Sequence, residues 1–236
     1  SAERILTVED LNVAYRGISA VSGVGFHIDA GELVGMIGPN GAGKSSTMLA
    51  LVGAVRSRAQ AIEFQGRDIR GLSPERIARS GLALVPEGHN VFSRLSVRDN
   101  LRLGSTARTD RAALADDTDW VLSLFPILGE FADRPAGLLS GGQQQQLAIG
   151  RALLASPALL ALDEPSLGLS PTAVDTVFAS IESIRARGTA VLIVEQRAQQ
   201  TVAAADRSYV LAEGRITMTL NPEDAQDSAL LMKAYL

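Results

Sequence analysis

Residues 33–51 constrain the fold of this chain more than any other stretch. Leu33-Val34-Gly35-Met36-Ile37 is a continuous apolar run, the pattern of a strand buried on both faces. Gly38-Pro39-Asn40-Gly41-Ala42-Gly43-Lys44-Ser45 follows at once. Residues 46–55 then read as a helix, with Met48, Leu49, Leu51 and Val52 apolar. A strand, a glycine-rich loop ending in Lys-Ser and a helix form a phosphate-binding loop. Glycines let the backbone curl so that successive N–H groups point at phosphate oxygens. The helix adds its positive end, worth roughly 0.3–1 kcal/mol per nearby charge at exposed sites. Lys44 can set an ammonium on the β and γ phosphates, and Ser45 can put its hydroxyl on Mg²⁺. Alone, the loop implies that ATP or GTP is held.

The rest of the chain supplies a core for that loop. Three early runs, Arg4-Ile5-Leu6-Thr7-Val8, Leu11-Asn12-Val13-Ala14-Tyr15 and Val24-Gly25-Phe26-His27-Ile28, read as short strands. Residues 81–85, 158–163 and 189–194 are further buried strands. Ser73-Pro74 and Ser170-Pro171 are helix starts, and Val174, Val177, Phe178, Ile181 and Ile184 recur at helical spacing. Tyr209-Val210-Leu211-Ala212 and Arg215-Ile216-Thr217-Met218 flank a Glu213-Gly214 hairpin turn, and a final helix closes the chain. This alternation predicts an α/β fold with a mostly parallel sheet covered on both faces. The early strands and the late hairpin predict an added antiparallel layer. From Ser96 to about Ala155 helical signals dominate: Ser96-Val97-Arg98-Asp99 resembles a capping box, and Trp120, Val121, Leu124 and Phe125 lie at helical spacing. We expect one domain, with residues 1–87 and 156–236 as the α/β core and about 88–155 as an inserted helical subdomain.

Composition narrows the function. The formal net charge of −4 argues against a nucleic-acid binder, which needs a basic surface to displace counterions. There are no cysteines, which excludes disulfides, thiolate zinc sites and cysteine nucleophiles. No stretch approaches the roughly 18 unbroken apolar residues of a membrane span, and Ser1-Ala2-Glu3-Arg4 carries no signal-peptide pattern. Any membrane role comes through a partner.

Two more motifs carry chemistry. Leu159-Leu160-Ala161-Leu162-Asp163-Glu164 ends an apolar strand in two acids, at the sheet edge where parallel α/β folds bind ligands. Asp163 can hold Mg²⁺ through a water, and Glu164 can polarise the water that attacks the γ phosphate. Leu139-Ser140-Gly141-Gly142-Gln143 opens a second helix able to bind an anion. One nucleotide needs one such loop, so this surface is expected to meet an ATP held by another subunit.

Together these motifs resemble the ATP-binding subunits of ABC transporters. Leu139-Ser140-Gly141-Gly142-Gln143 matches that family's signature without a change. The resemblance covers essentially the whole chain and implies a P-loop NTPase core, ATP hydrolysis and the cofactors ATP and Mg²⁺. Val85-Pro86-Glu87-Gly88, Val91-Phe92-Ser93-Arg94-Leu95-Ser96-Val97, Val194-Glu195-Gln196 and residues 205–211 resemble an ATPase subunit of bacterial branched-chain amino-acid importers. Related importers for urea, amides and other polar solutes look similar.

The resemblance implies the following roles. Tyr15 stacks on adenine, and Gly38, Pro39, Asn40, Gly41, Ala42, Gly43, Lys44, Ser45 and Ser46 hold phosphates and metal. Ser140, Gly141, Gly142 and Gln143 complete the partner's site. Ser45, Glu87 and Asp163 serve the metal; Glu164, with Gln196 and Glu87, serves hydrolysis. Ser166-Leu167-Gly168-Leu169-Ser170 crosses the dimer interface. The implied partners are a second ATPase subunit face to face, two membrane permease subunits reached by residues 88–155 and, indirectly, a solute-binding protein. The implied place is the cytoplasmic face of the membrane.

Two positions depart from the family. Glu87 stands where Gln is usual and adds charge beside the γ phosphate. Gln196 stands where His is usual; it can donate a hydrogen bond but cannot become charged. Neither His27 nor His89 sits at that switch, and both read as polar loop or strand residues. Both replacements look like those of the branched-chain importer subunits, and they open a second reading: an ATP-gated interaction module that hydrolyses little. A DNA-repair or translation ATPase would carry coiled-coil, zinc or tandem insertions, none of which the sequence has. A small-molecule kinase would explain the loop but not residues 139–143.

Overall fold

A computed structural model describes residues 3–88, 90–106, 108 and 110–233. Ser1, Ala2 and His89 lie outside the described residues. The chain runs β1 Arg4–Tyr15, β2 Ile18–Asp29, β3 Leu33–Ile37, α1 Lys44–Leu51, β4 Ser57–Arg58, β5 Ala61–Phe64, β6 Arg67–Asp68, α2 Pro74–Arg79 and β7 Leu82–Val85. Then follow α3 Val97–Gly104, α4 Arg111–Leu124, α5 Pro126–Glu130 and α6 Gly141–Leu153. The last part holds β8 Leu159–Asp163, α7 Pro171–Ala186, β9 Ala190–Glu195, α8 Ala198–Ala204, β10 Arg207–Ala212, β11 Arg215–Leu220 and α9 Ser228–Lys233.

One sheet has the order β11-β10-β3-β9-β8-β7, with the five strands from β10 to β7 parallel. Every residue of β3, β8 and β9 is buried. Successive side chains of a strand point to opposite faces, and here they feed two cores. Leu159, Ala161, Leu192 and Val194 join the cluster beneath the N-terminal strands with Met48 and Phe64. Leu160, Leu162, Val191 and Ile193 join the cluster formed with α6, α7 and the helical segment, including Phe125 and Leu128. α7 starts as expected: Ser170 caps it, Pro171 leads it, and Val174, Val177, Ile181 and Ile184 are buried.

The second sheet is antiparallel, with the order β2-β1-β5-β6 and β4 also paired to β1. The two early runs before Tyr15 are one strand, bent where the register shifts between Val8 and Leu11 and where Asp10 takes a left-handed backbone. The late hairpin is not part of this layer. β10 pairs in parallel with β3, so the hairpin extends the main sheet instead. α1 stops at Leu51, short of Val55, because Gly53 turns left-handed there. At Ser96 the capping box is half made: its hydroxyl accepts from Asp99 N (3.0 Å) but donates to the Asp99 carboxylate (2.7 Å) instead of leaving that carboxylate to the backbone. The final segment is a short 3₁₀ turn, Pro222–Gln226, followed by α9.

Candidate nucleotide-binding site

The ends of β3, β7, β8 and β9 meet on one edge of the main sheet. β3 delivers Gly38, and α1 begins at Lys44. A side chain at Gly38 would overlap the Leu211 carbonyl oxygen, and one at Gly43 would overlap that of Ala20. Both glycines are left-handed, so space and backbone demand the same residue. Ala42 packs inward, while Pro39 accepts the Ala42 N–H at 3.2 Å and shapes the loop from behind.

Three charged residues are buried here, Lys44, Asp163 and Glu195. A buried charge is costly unless partnered. The Lys44 ammonium donates to the carbonyls of Gly38 (2.8 Å) and Pro39 (3.0 Å) and lies 3.9 Å from Glu164. Burial lowers its pKa, opposed by Glu164, Asp163 and Glu195. The Ser45 hydroxyl donates to Asp163 Oδ1 at 3.1 Å. Burial raises the Asp163 pKa; the Ser45 bond lowers it, and the charges of Glu164 and Glu87 raise it further.

Glu164 follows β8 with a left-handed backbone, and its N–H donates to Val194 O at 2.8 Å. Its carboxylate accepts from Gln196 Nε2 at 2.7 Å. The general-base candidate and the switch candidate thus touch, although 31 residues separate them in the chain. A cavity of about 580 Å³ opens over this pair, bounded by Tyr15, Asn40, Gly41, Gly43, Lys44, Ser45, Ser46, Glu87, Glu164 and Gln196. Tyr15, 42% exposed at the end of β1, lines the same cavity.

The signature residues do not line this cavity. Ser140 caps α6: its hydroxyl accepts from Gln143 N (3.3 Å), and the Gln143 side chain accepts from Ser140 N (2.9 Å). Ser140 and Gly141 are exposed beside Leu138, and the first turn carries no acid. Glu195 is the participant that sequence reasoning passed over. The one available signal was an acid closing an otherwise apolar run, Ala190-Val191-Leu192-Ile193-Val194.

Residues 21–167 match the family described as ABC transporter. The chain is 44% identical over 214 residues to the high-affinity branched-chain amino acid transport ATP-binding protein BraG of Pseudomonas aeruginosa, covering 91% of each. It is 34% identical over 233 residues to the lipopolysaccharide export system ATP-binding protein LptB of Escherichia coli K12, covering 98% of this chain and 96% of that one. Among solved structures, the ADP conformation of an ATP-binding cassette of an ABC transporter superposes with a TM-score of 0.87 at 24% identity, over 99% and 98% of the two chains. That likeness shows the fold, including the α/β core and the set of helices between β7 and β8. No helix among the described residues is long and apolar enough to cross a membrane. By the family match over residues 21–167 and the 44% identity over 91% of its length, this chain belongs to the ABC transporter family, as an ATP-binding, ATP-hydrolysing subunit.

Proposed function

We propose that the chain is the energy-coupling ATPase subunit of an importer for branched-chain or related amino acids. It acts as one half of a face-to-face pair with a second ATPase subunit, at the cytoplasmic face of the membrane. The observation that carries the pairing is the separation of the two anion-binding features. The cavity gathers the phosphate loop, Lys44, Glu164, Gln196 and Tyr15, while the exposed start of α6 lies outside it. A second subunit would place its own Ser140, Gly141 and Gly142 over this ATP. The likeness to BraG supports amino acids as the cargo class; the lower likeness to LptB is why export of a lipid is the competing reading.

Within the site, the backbone N–H groups of residues 40, 41 and 43–45 and the Lys44 ammonium would bind the triphosphate, and Tyr15 would stack on the base. Glu164 would take the proton of the attacking water while Gln196 fixes its carboxylate. The residues fit Mg²⁺. Asp163 is a buried acid raised in pKa by its burial and by the neighbouring charges of Glu164 and Glu87, a crowding that a cation relieves. Ser45, Asp163 and Glu87 supply the hard oxygen donors, few enough that water and phosphate oxygens complete the shell. When bound, Mg²⁺ would neutralise phosphate charge.

The helical segment of residues 88–155 is proposed to meet the permease. A groove of about 520 Å³ runs between β7, α2, α3 and α6, with Phe92, Leu84 and Leu103 on its walls. Phe92 and Leu103 are exposed, and Glu87 follows two residues after the end of β7. The test is co-purification with permease subunits of a branched-chain amino-acid importer, followed by ATPase assays in liposomes with that importer's binding protein. Stimulation by a leucine-loaded binding protein is expected. Stimulation by lipopolysaccharide instead would overturn the importer reading.

A further inference from the structure

Glu195 ends β9, the strand between β3 and β8 in the main sheet. Its residue is only 2% exposed, so its carboxylate is satisfied by protein or not at all. Oε1 accepts the Ser166 N–H at 2.9 Å, and Oε2 accepts the Gln196 N–H at 3.2 Å. One carboxylate therefore holds the backbones of two different loops. One is the segment Ser166-Leu167-Gly168-Leu169-Ser170; the other carries the Gln196 side chain, which holds Glu164. The ring closes because the Leu167 N–H donates to Glu164 O at 3.1 Å. The Lys44 ammonium lies close enough for the Glu195 charge to stabilise it. A neutral residue could not serve both N–H groups as strongly, because charge-assisted hydrogen bonds are about twice as strong as neutral ones.

We infer that Glu195 is a positioning residue that locks the Gln196 switch and the 166–170 segment into one unit, so that the base and the dimer-facing segment move together. This rests on the roles proposed above for Gln196, Glu164 and residues 166–170. Glu195 touches neither nucleotide nor water in this reading; it acts through the two loops.

The test is Glu195→Gln. The amide keeps one acceptor oxygen and turns an NH₂ toward the second N–H, so one loop is released with no change in size. The expected result is a kcat for ATP hydrolysis lowered about tenfold, with the Kd for ATP within about twofold of the original. In a Glu164→Gln background, the expected result is an ATP-induced dimer weakened about tenfold by adding Glu195→Gln. A merely structural role would instead lower ATP binding and Tm together with the rate, and that outcome would overturn the inference. So would a rate and a dimer unchanged by Glu195→Gln. If Glu164→Gln itself neither binds ATP nor dimerises, the functional reading fails, and amide hydrogen exchange on the unaltered chain decides the lock by itself. The Ser166 and Gln196 amides should be protected equally and respond to ATP together. A Ser166 amide that exchanges as fast as an exposed loop would refute it, and this measurement also serves if Glu195→Gln fails to fold.

Discussion

Glu164→Gln separates chemistry from architecture at this site. In the structure, the Glu164 carboxylate does three things. It accepts from Gln196 Nε2 at 2.7 Å, it faces the Lys44 ammonium at 3.9 Å, and its charge raises the pKa of Asp163. A glutamine of the same size can keep the first two contacts. Its carbonyl oxygen accepts from one neighbour, and the Gln196 amide can rotate to present its own oxygen to the new NH₂. The third effect, repulsion of Asp163, is relieved. What is lost is the ability to take a proton. General-base catalysis is worth about 10²–10⁴ in rate, or about 3–5 kcal/mol of barrier. The prediction is therefore a single-turnover rate that falls by about 10²–10⁴ with ATP affinity unchanged or tighter. The assay is single-turnover hydrolysis at saturating ATP in the assembled complex, with calorimetric titration of ATP on the same variant. A rate loss below tenfold would refute the base assignment. A loss of affinity equal to the loss of rate would show that Glu164 builds the site and does not act in it.

Three further outcomes test the packing. A side chain at Gly104, the last residue of α3, would overlap the Arg151 carbonyl on α6. Both partners are backbone and the helices must part, so Gly104→Ala should cost about 1–3 kcal/mol, read as a Tm lowered by about 2–4 °C per kcal/mol. The hydroxyls of Ser208 and Thr201 are buried without a hydrogen-bond partner among the described residues, and a Cβ at Gly35 would crowd both side chains. Ser208→Ala should raise stability by about 1 kcal/mol; a lower Tm would refute the claim that the hydroxyl is unsatisfied. His27 sits with Nε2 2.6 Å from Arg207, so the arginine donates to a neutral ring. Burial first, then Arg207 and Arg4, lowers its pKa below the ordinary 6.5. The unfolded chain therefore takes up a proton before the folded chain does, and stability should fall as pH drops through and below 6.5. Thermal melts at pH 7.5 and 5.5 should show a larger drop for the original chain than for His27→Gln, and equal drops would refute the assignment.

Much of the fold was legible because its signals are local. Leu33-Val34-Gly35-Met36-Ile37 is apolar throughout because both its faces are covered, and that needs no knowledge of what covers them. Gly38 to Ser45 is readable because phosphate binding is done by consecutive backbone groups. Ser170-Pro171 is readable because a helix start is a property of three or four neighbours. The strands at 57–58, 61–64 and 67–68 were not read, since two to four residues carry no period of their own. The first two exist because β1 offers an edge, with which Arg58, Ala61 and Ile62 pair, and the third pairs with 61–64 in turn. The late hairpin was read as a hairpin but assigned to the wrong layer, because its turn is local and its choice of neighbouring strand is not.

By itself the sequence determined the order of the longer core strands and helices, the glycine-rich loop, the acids at the end of β8, the Ser140 helix start and, through them, the family resemblance. These are matters of residue type at short spacing. The tertiary structure decided which of those residues share a cavity. Lys44, Glu87, Glu164 and Gln196 come from places far apart in the chain and meet because parallel strands end at the same edge, while Tyr15 joins them from the end of β1 in the antiparallel sheet. It also decided that Ser140 stays outside, and that Glu195 binds two loops at once. A buried carboxylate is recognisable in a sequence only as an acid in an apolar run; its partners are set by which strands lie side by side.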